Sequence, residues 1–341
     1  MLKHKRGVEN VILFQSKFIE ADNKYFIFFD DETSNYFYEG LNCIGIQKNF
    51  ARFFQLNKVV KEINTRHNKV IVHSHNYLMS FFLFFKTDIF TVHDGLYYLS
   101  SERNHKYKNL FKLIEMYVYT RSKKVHFISK YAKSKALYNQ KLQKEIIIYN
   151  TTPLESKDYV EKNLVFSKDK INLFTVRSIE ERARIDLLIE LAQRNKNTIN
   201  IYVAGKGPLL EYYESKIELL GLENISMLGY IDDKLLMNYY KKCDMVILLA
   251  EFGEGFGLPI IEGYLYNKKV IASNICAIPE VIINKKYLFE NNIHSLENKI
   301  YEASKDDSNQ FSRYYFNTFS LNAIGSKYMN LYNEIFNNFN D

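Results

Sequence analysis

Cysteine is scarce: Cys43, Cys243 and Cys276 are the three in 341 residues. Odd in number and far apart, they exclude a disulfide framework and fit reduced, mostly buried thiols in a cytosolic protein. Long hydrophobic runs are missing too. No window approaches eighteen uninterrupted apolar residues, so no membrane-spanning helix is expected. The longest aromatic run, YLMSFFLFF at 77–85, is half a span and predicts a buried helix or strand. No charged, apolar, small-residue sequence opens the chain, so no signal peptide is expected either. Two phosphate-binding signatures are also lacking, because the AGKGP stretch at 204–208 fits neither GxGxxG nor the Walker spacing. His73 and His75 have a metal-like i, i+2 spacing, but no nearby cysteine or acid completes a shell.

What is present is 47% hydrophobic content, enough to fill two domain cores in a chain of this length. The abundance of Lys, Asn, Ile, Tyr and Phe reads as compositional bias. Charge is more telling. Residues 1–170 carry 28 basic against 17 acidic side chains, and the remainder 18 against 22. A basic front half points to an anionic partner: membrane headgroups, a lipid pyrophosphate or nucleic acid. Its excess lies in RNHKYKNLFKLIEMYVYTRSKK at 103–124 and in Lys130, Lys133, Lys135, Lys141 and Lys144, interleaved with aromatics. That pattern suits either a solvated helical face or a surface lying on anionic lipid. No recognisable nucleic-acid-binding module accompanies it.

Strands alternate with helical stretches along the chain. After a basic start, 11–20 predicts an amphipathic helix. Strands are expected at 24–29, 69–73, 89–93, 125–129 and 145–149, with a helix at 56–64. Asp30, Asp31 and Glu32 end the first strand as either a solvated terminus or a metal site. Residues 151–170 are polar and aperiodic, a linker. The alternation restarts with strands at 171–176, 199–204, 225–228 and 270–273 and helices at 183–194, 208–220 and 232–241. Residues 312–339 predict a helical tail that reaches back to the first domain. This order implies two doubly wound α/β domains, 1–160 and 161–317, facing across a cleft, with part of 318–341 on the first.

One stretch organises the second half: DMVILLAEFGEGFGLPIIEGYLY at 244–266. An apolar run of strand length leads into Gly253, Gly255 and Gly257, and Pro259 suits the first turn of a helix. Strand, glycine loop and helix start aim backbone N–H groups and a positive partial charge at an anion. Glu254 and Glu262 bracket that start. Carboxylates are odd partners for phosphate but good acceptors for sugar hydroxyls. A ligand anionic at one point and polyhydroxylated on either side is therefore expected.

These segments, with LFTVRSIEERARIDLLIEL, IYVAGKGPLLEYY and ISMLGYIDDKLLMNYYKKCDMVILLA, resemble the retaining glycosyltransferases of family 4, the group 1 glycosyltransferases of GT-B fold. The resemblance is densest over 172–281, and the family's E-x7-E signature falls on Glu254 and Glu262. It implies that Glu262 accepts from the ribose hydroxyls of a nucleotide-sugar donor. Glu254 and the backbone at Phe256, Gly257 and Leu258 would hold the sugar hydroxyls and the distal phosphate. Arg177 would pair with the diphosphate, Gly205 would lie near the nucleotide, and Gly229 and Tyr230 would lie at the base; packing is the other reading for Tyr230. The family's K-G-[IV]-D segment here reads Ala183, Arg184, Ile185, Asp186, so Arg182 or Arg184 must replace the lysine, with Arg182 favoured. In the first domain, His93 resembles the family histidine near the anomeric region, with Asp94 beside it. Ser129 and Asn150 resemble pocket-border positions, and His73 and His75 read as cleft wall. The family's first glycine loop corresponds to Arg6 and Gly7, which leaves the first strand either displaced or missing.

What the resemblance implies overall is transfer from a UDP- or GDP-sugar to a hydroxyl on a lipid-pyrophosphate-linked or growing saccharide, with retained configuration. The setting would be surface polysaccharide assembly (O-antigen, capsule or lipopolysaccharide) at the cytoplasmic face of the membrane, with peripheral attachment and no metal or other cofactor. His93, Glu254 and Arg177 would be the catalytic groups. The alternatives are a sugar-nucleotide epimerase of the same fold or a catalytically silent partner subunit. A phosphorylase would need a cofactor lysine site that is not found.

Overall fold

A computed structural model describes residues 7–337 and divides the chain into two units, one running to Thr151 and resuming at Leu321, the other Thr152–Ser320. In unit 1 the order is α1 (Gly7–Lys17), β1 (Tyr25–Asp30), β2 (Ser34–Tyr38), β3 (Leu41–Gln47), α2 (Arg52–Arg66), β4 (His73–Ser74) and α3 (Tyr77–Phe82). Then come β5 (Ile89–Val92), α4 (Leu96–Glu102), α5 (Lys108–Arg121), β6 (Lys124–Phe127), α6 (Lys130–Lys135) and β7 (Glu145–Ile147).

The strands of unit 1 form two sheets. β4, β5, β6 and β7 are parallel and adjacent in chain order, and a second sheet has the order β1-β3-β2. The sequence pattern did not distinguish β2 and β3. They form an antiparallel hairpin whose Glu39 and Gly40 both have positive φ, the conformation that matches the strand twist. α1 begins with Gly7, the first described residue; Arg6 and the expected position of the first strand lie outside the described residues. β4 is shorter than expected because the Asp88 carboxylate accepts the Val72 N–H that a ladder would use.

Unit 2 contains β8 (Ile171–Val176), α7 (Ile185–Arg194), β9 (Ile199–Ala204), α8 (Leu210–Leu219), β10 (Ile225–Gly229), α9 (Asp233–Lys242) and β11 (Met245–Leu248). It continues with α10 (Leu258–Leu265), β12 (Lys269–Ser273), α11 (Ile278–Val281), β13 (Leu288–Phe289), α12 (Ile293–Ser304) and α13 (Phe311–Thr318). The sheet is parallel in the order β10-β9-β8-β11-β12-β13. Leu173, Phe174, Val246, Ile247, Val270 and Ile271 are fully buried in it, as the continuous apolar runs require. Chain direction across the sheet reverses between β8 and β11. Such a switch point opens a crevice beyond the C-terminal strand ends, where α/β sheets bind ligands.

The expected helical tail breaks at Phe319–Ser320. α13 stays in unit 2, its Phe311 stacked on Tyr264, while α14 (Leu321–Asn337) returns to unit 1 and buries Ile324, Tyr328 and Leu331 against Phe14 and Ile89. The 77–85 run departs from expectation. Tyr77 and Phe81 pack inward toward α5, but Leu78, Phe82 and Phe84 face outward.

Candidate active site

The two segments that leave the switch point carry the site. Arg177 follows β8, and its side chain is only 7% exposed. Its Nη2 donates to Glu254 Oε2 at 3.1 Å. Its Nη1 is buried and has no hydrogen-bond partner among the described residues. Burial lowers the Arg177 pKa from the ordinary arginine value; Glu254 opposes the shift and the nearby Arg182 charge adds to it. A guanidinium remains charged through such a shift. An unused charged donor buried beside a second cation suits an anion with more than one acceptor oxygen.

Arg182 and Arg184 part company. Arg182 Nη1 donates to the Gly253 carbonyl at 2.5 Å, its own carbonyl accepts from Glu251 N at 2.9 Å, and its Nε faces Glu180 at 3.4 Å. It therefore braces the glycine loop next to Arg177. Arg184 sits at φ 53, a left-handed conformation, at the position where the family pattern has glycine. Its guanidinium turns to Asp186 and Glu251. Ala183, at the lysine position, is fully buried.

The glycine loop is pinned on its other side by residues the sequence reading missed. Ser273 Oγ lies 3.1 Å from Ala250 N, and Asn291 Nδ2 donates to the Ala250 carbonyl at 2.7 Å. Polar residues at strand ends were the signal for them, but nothing in the spacing connects 250 with 291. Gly257 caps α10 at φ +94, and a Cβ there would meet Ile260 Cδ1 at 2.9 Å. Phe256 is buried edge-on against Phe319, so only its backbone is available to a ligand. Leu258 and Pro259 begin α10.

Glu262 is 6% exposed, and both oxygens are engaged: Tyr240 OH donates to Oε2 at 2.6 Å and Thr152 Oγ1 to Oε1 at 3.1 Å. Burial raises its pKa above the usual carboxylate value, against the two hydrogen bonds. Gly205 serves packing: at φ +133 its N–H donates to Gly229 O, and a Cβ would lie 1.7 Å from the Arg177 carbonyl oxygen. Tyr230 is 51% exposed with Lys206 Nζ 5.5 Å from its ring centre, so it is not core packing. A hollow of about 800 Å³ lined by Lys170, Asn172, Lys242, Asp244 and Lys269 lies at the opposite, N-terminal strand ends, where parallel sheets do not bind ligands.

In unit 1, His93 follows β5 and its Nε2 is 3.0 Å from His75 Nδ1. His73 stacks on His75 with ring centres 4.4 Å apart. Burial holds the His93 pKa down at about 3 and that of His126 at about 4, and lowers those of His73 and His75 well below the ordinary value. No group of three His, Cys, Asp or Glu able to hold a metal occurs among the described residues. Asp31, in the acid cluster, pairs with Lys48 at 3.0 Å on the surface. Ser129 is buried and its Oγ caps α6. Asn150 is buried with Oδ1 unpartnered among the described residues.

Strand-end cations and a glycine loop at an α/β switch point suit a phosphorylated ligand. Residues 156–317, nearly the whole of unit 2, match the family described as Glycosyl transferases group 1. The chain is 33% identical over 145 residues to an uncharacterized 41.2 kDa protein in the cps region of Klebsiella pneumoniae, covering 40% of this chain and 38% of that one. It is 27% identical over 196 residues to an uncharacterized glycosyltransferase of Methanocaldococcus jannaschii, covering 56% and 52%. The matched stretches thus span about two fifths to one half of those relatives' lengths. Among solved structures, sucrose-phosphate synthase from Thermosynechococcus elongatus is similar at TM-score 0.75 and 17% identity over 91% of this chain and 89% of that one. Anabaena Alr3699/HepE in complex with UDP-glucose is similar at TM-score 0.68 and 16% identity over 87% of each chain. At those identities the structures establish the fold, which is the α/β GT-B fold.

Proposed function

We propose that this chain is a retaining glycosyltransferase of surface polysaccharide assembly. It moves a sugar from a nucleoside diphosphate sugar, carrying uracil or guanine, to a hydroxyl of a lipid-pyrophosphate-linked or growing saccharide. The observation that carries this reading is the Arg177 guanidinium, buried at the switch point with one hydrogen-bonding nitrogen unused. The family match, the cps-region relative and the UDP-glucose bound by Alr3699/HepE support it.

As the bond from the anomeric carbon to the diphosphate oxygen breaks, negative charge gathers on the departing phosphate. Arg177, Arg182 and the N–H groups opening α10 meet that charge in a poorly solvated setting, where fixed donors act most strongly. Glu254, held by Arg177, accepts from the donor sugar's hydroxyls. Glu262 accepts from the ribose with the lone pairs that Tyr240 and Thr152 leave unused. Gly205 keeps the Arg177 backbone in place, and the exposed Tyr230 ring offers the base a stacking face. In unit 1, His93 serves the sugar end of the reaction. The acceptor hydroxyl's proton passes to the departing phosphate while the new bond forms on the same face, so configuration is retained. No metal or other cofactor is part of this proposal.

The surface of unit 1 supports the proposed acceptor and location. α5 leaves Leu110, Leu113 and Met116 exposed, its Tyr117 meets Phe81 of α3 edge-on, and Leu78, Phe82 and Phe84 in and after α3 are exposed too. Leu113 is 65% exposed and Phe84 72%. Lys86 and Lys112 lie among them in sequence. An apolar face set in basic surroundings suits the anionic cytoplasmic leaflet, where a lipid-linked acceptor resides. No described helix is long and apolar enough to cross a membrane.

The test is incubation with labelled UDP- and GDP-sugars and a lipid pyrophosphate-linked saccharide. Arg177→Ala is expected to lower kcat/KM on the order of 10²- to 10³-fold, the cost of losing one preorganised donor at developing charge. Transfer that survives both Arg177→Ala and Glu254→Ala sinks the assignment. Absence of transfer with every donor favours a silent partner.

A further inference from the structure

Four histidines of unit 1 form two hydrogen-bonded sets, and donor counting fixes the protons of one. Ile148 O can only accept, so the 2.9 Å contact places a proton on His126 Nε2, which also lies 3.4 Å from Tyr328 OH. His126 Nδ1 is then bare and takes the Thr91 hydroxyl proton at 2.9 Å. Thr91 Oγ1 in turn accepts from His73 Nε2 at 2.6 Å, which leaves His73 Nδ1 to accept from Tyr332 OH at 2.6 Å. The chain therefore runs one way, from Tyr332 to Ile148, with both histidines neutral and protonated on Nε2.

The second set is the His75 Nδ1–His93 Nε2 contact at 3.0 Å, its rings tilted by 31°. Only one proton fits between the two nitrogens. Given from His75, it leaves His93 protonated on Nδ1; given from His93, it leaves His75 protonated on Nε2. Either way the two neutral rings carry their protons on the same-named nitrogen. One of the outward nitrogens, His93 Nδ1 or His75 Nε2, is then a donor and the other an acceptor. Neither outward nitrogen has a partner among the described residues, and His73 stacked on His75 holds that ring in place.

We propose that His75 is the positioning residue of His93: their shared hydrogen bond fixes the ring of His93 and decides whether its outward nitrogen donates or accepts. The importance of this for transfer rests on the reading of His93 given above. The dyad itself stands on geometry.

The test is long-range ¹H–¹⁵N correlation on the full chain labelled at histidine, near neutral pH. His75 and His93 are expected to show the same tautomer, both Nδ1–H or both Nε2–H, and His73 and His126 to show Nε2–H. His75→Phe removes the shared proton and should alter the ring-nitrogen shifts of His93. His75→Asn places an amide near the former Nδ1 and should hold them near the wild-type pattern. In transfer assays His75→Phe is expected to lower kcat on the order of ten- to a hundredfold, the scale of a misplaced group, with KM for the donor little changed. His75→Asn should recover part of the loss. Opposite tautomers in the pair, or His93 shifts unmoved by His75→Phe, overturn the proposal. Altered His93 shifts with kcat intact leave the dyad standing and overturn the role of His93 in transfer. If His75→Phe fails to fold, the wild-type tautomers and His75→Asn still decide.

Discussion

What each candidate already holds favours Arg182 as the cation proposed to act beside Arg177. Arg184 makes a forked contact with Asp186 and an ion pair with Glu251, so it has little left to offer a phosphate. Arg182 spends one nitrogen on the Gly253 carbonyl and a weaker contact on Glu180. Arg182→Ala is therefore expected to lower kcat/KM about ten- to a hundredfold, the loss of one charge-assisted hydrogen bond plus a loosened loop. Arg184→Ala should cost less than about threefold, since part-exposed ion pairs contribute little. Donor titrations of both variants check this, and an Arg184 loss as large as the Arg182 loss reverses the assignment. At this scale Glu254 and Glu262 were marked by type and spacing, and Arg177 by the family resemblance. The engagement of Glu262 with Tyr240 and Thr152 was not, because those partners lie 22 and 110 positions away. Nor does spacing show which way a guanidinium turns.

β8 to β12 of unit 2 matched their sequence pattern because each is a mostly apolar run, even with Asn172 and Thr175 in β8, whereas the short β13 and α11 and the helix α12 were not distinguished. In unit 1, β2 and β3 escaped because aromatic and small residues at 34–47 carry no clear alternation. β4 escaped in part because an Asp88 side chain replaces its ladder partner. Gly205 joins element to site: β9 can end against the Arg177 carbonyl only without a Cβ. Gly205→Ala combines that clash with an unfavourable φ and should destabilise by roughly 2–4 kcal/mol. Nucleotide affinity should fall even in the fraction that stays folded, measured by thermal shift with and without UDP. Wild-type affinity in a folded variant would show that the two loops are not coupled.

The histidine chain that ties β4, β5 and β6 to α14 gives unit 1 a pH dependence. His126 has its folded pKa lowered to about 4, whereas an unfolded chain has the ordinary value near 6.5. Between those values the unfolded state binds more protons. Stability is then complete above pH 6.5 and is lost as pH falls toward 4. From pH 7 to pH 5 this one residue accounts for about 2 kcal/mol. Denaturant unfolding of unit 1, read by a probe on α14, should show at least that loss, and His126→Gln should reduce it by about that amount, the slope that remains belonging to His73, His75 and His93, whose pKa values burial also lowers. A wild-type curve independent of pH over that range contradicts the neutral, Nε2-protonated chain.

At the largest scale, exposed apolar side chains and lysines lie close together in the sequence of unit 1, at 78–86 and 110–116. The net excess of eleven positive charges in residues 1–170 and the mild acidity of the remainder were legible from composition, but the apolar half of the surface was not. A run such as 77–85 reads as core until its outward face is seen, since burial is decided by what packs on the other side. The proposed membrane contact has two components, which salt separates. Coulombic attraction to anionic lipid is screened within about 8 Å at physiological ionic strength, whereas burial of Leu110, Leu113 and Phe84 in the headgroup region is not. Flotation with vesicles rich in anionic lipid should therefore recover most of the chain at low salt and a reduced but measurable fraction at about 1 M. Neutral vesicles should recover, at either salt, about the same reduced fraction that anionic vesicles keep at high salt. Leu113→Asp with Phe84→Asp should abolish the salt-resistant fraction while leaving transfer to a water-soluble acceptor unchanged, because neither side chain contributes to the nucleotide site. Replacing Lys86 and Lys112 by Gln should instead weaken the low-salt binding alone. Full flotation of the double Asp variant at high salt would mean that another face of the chain meets the bilayer.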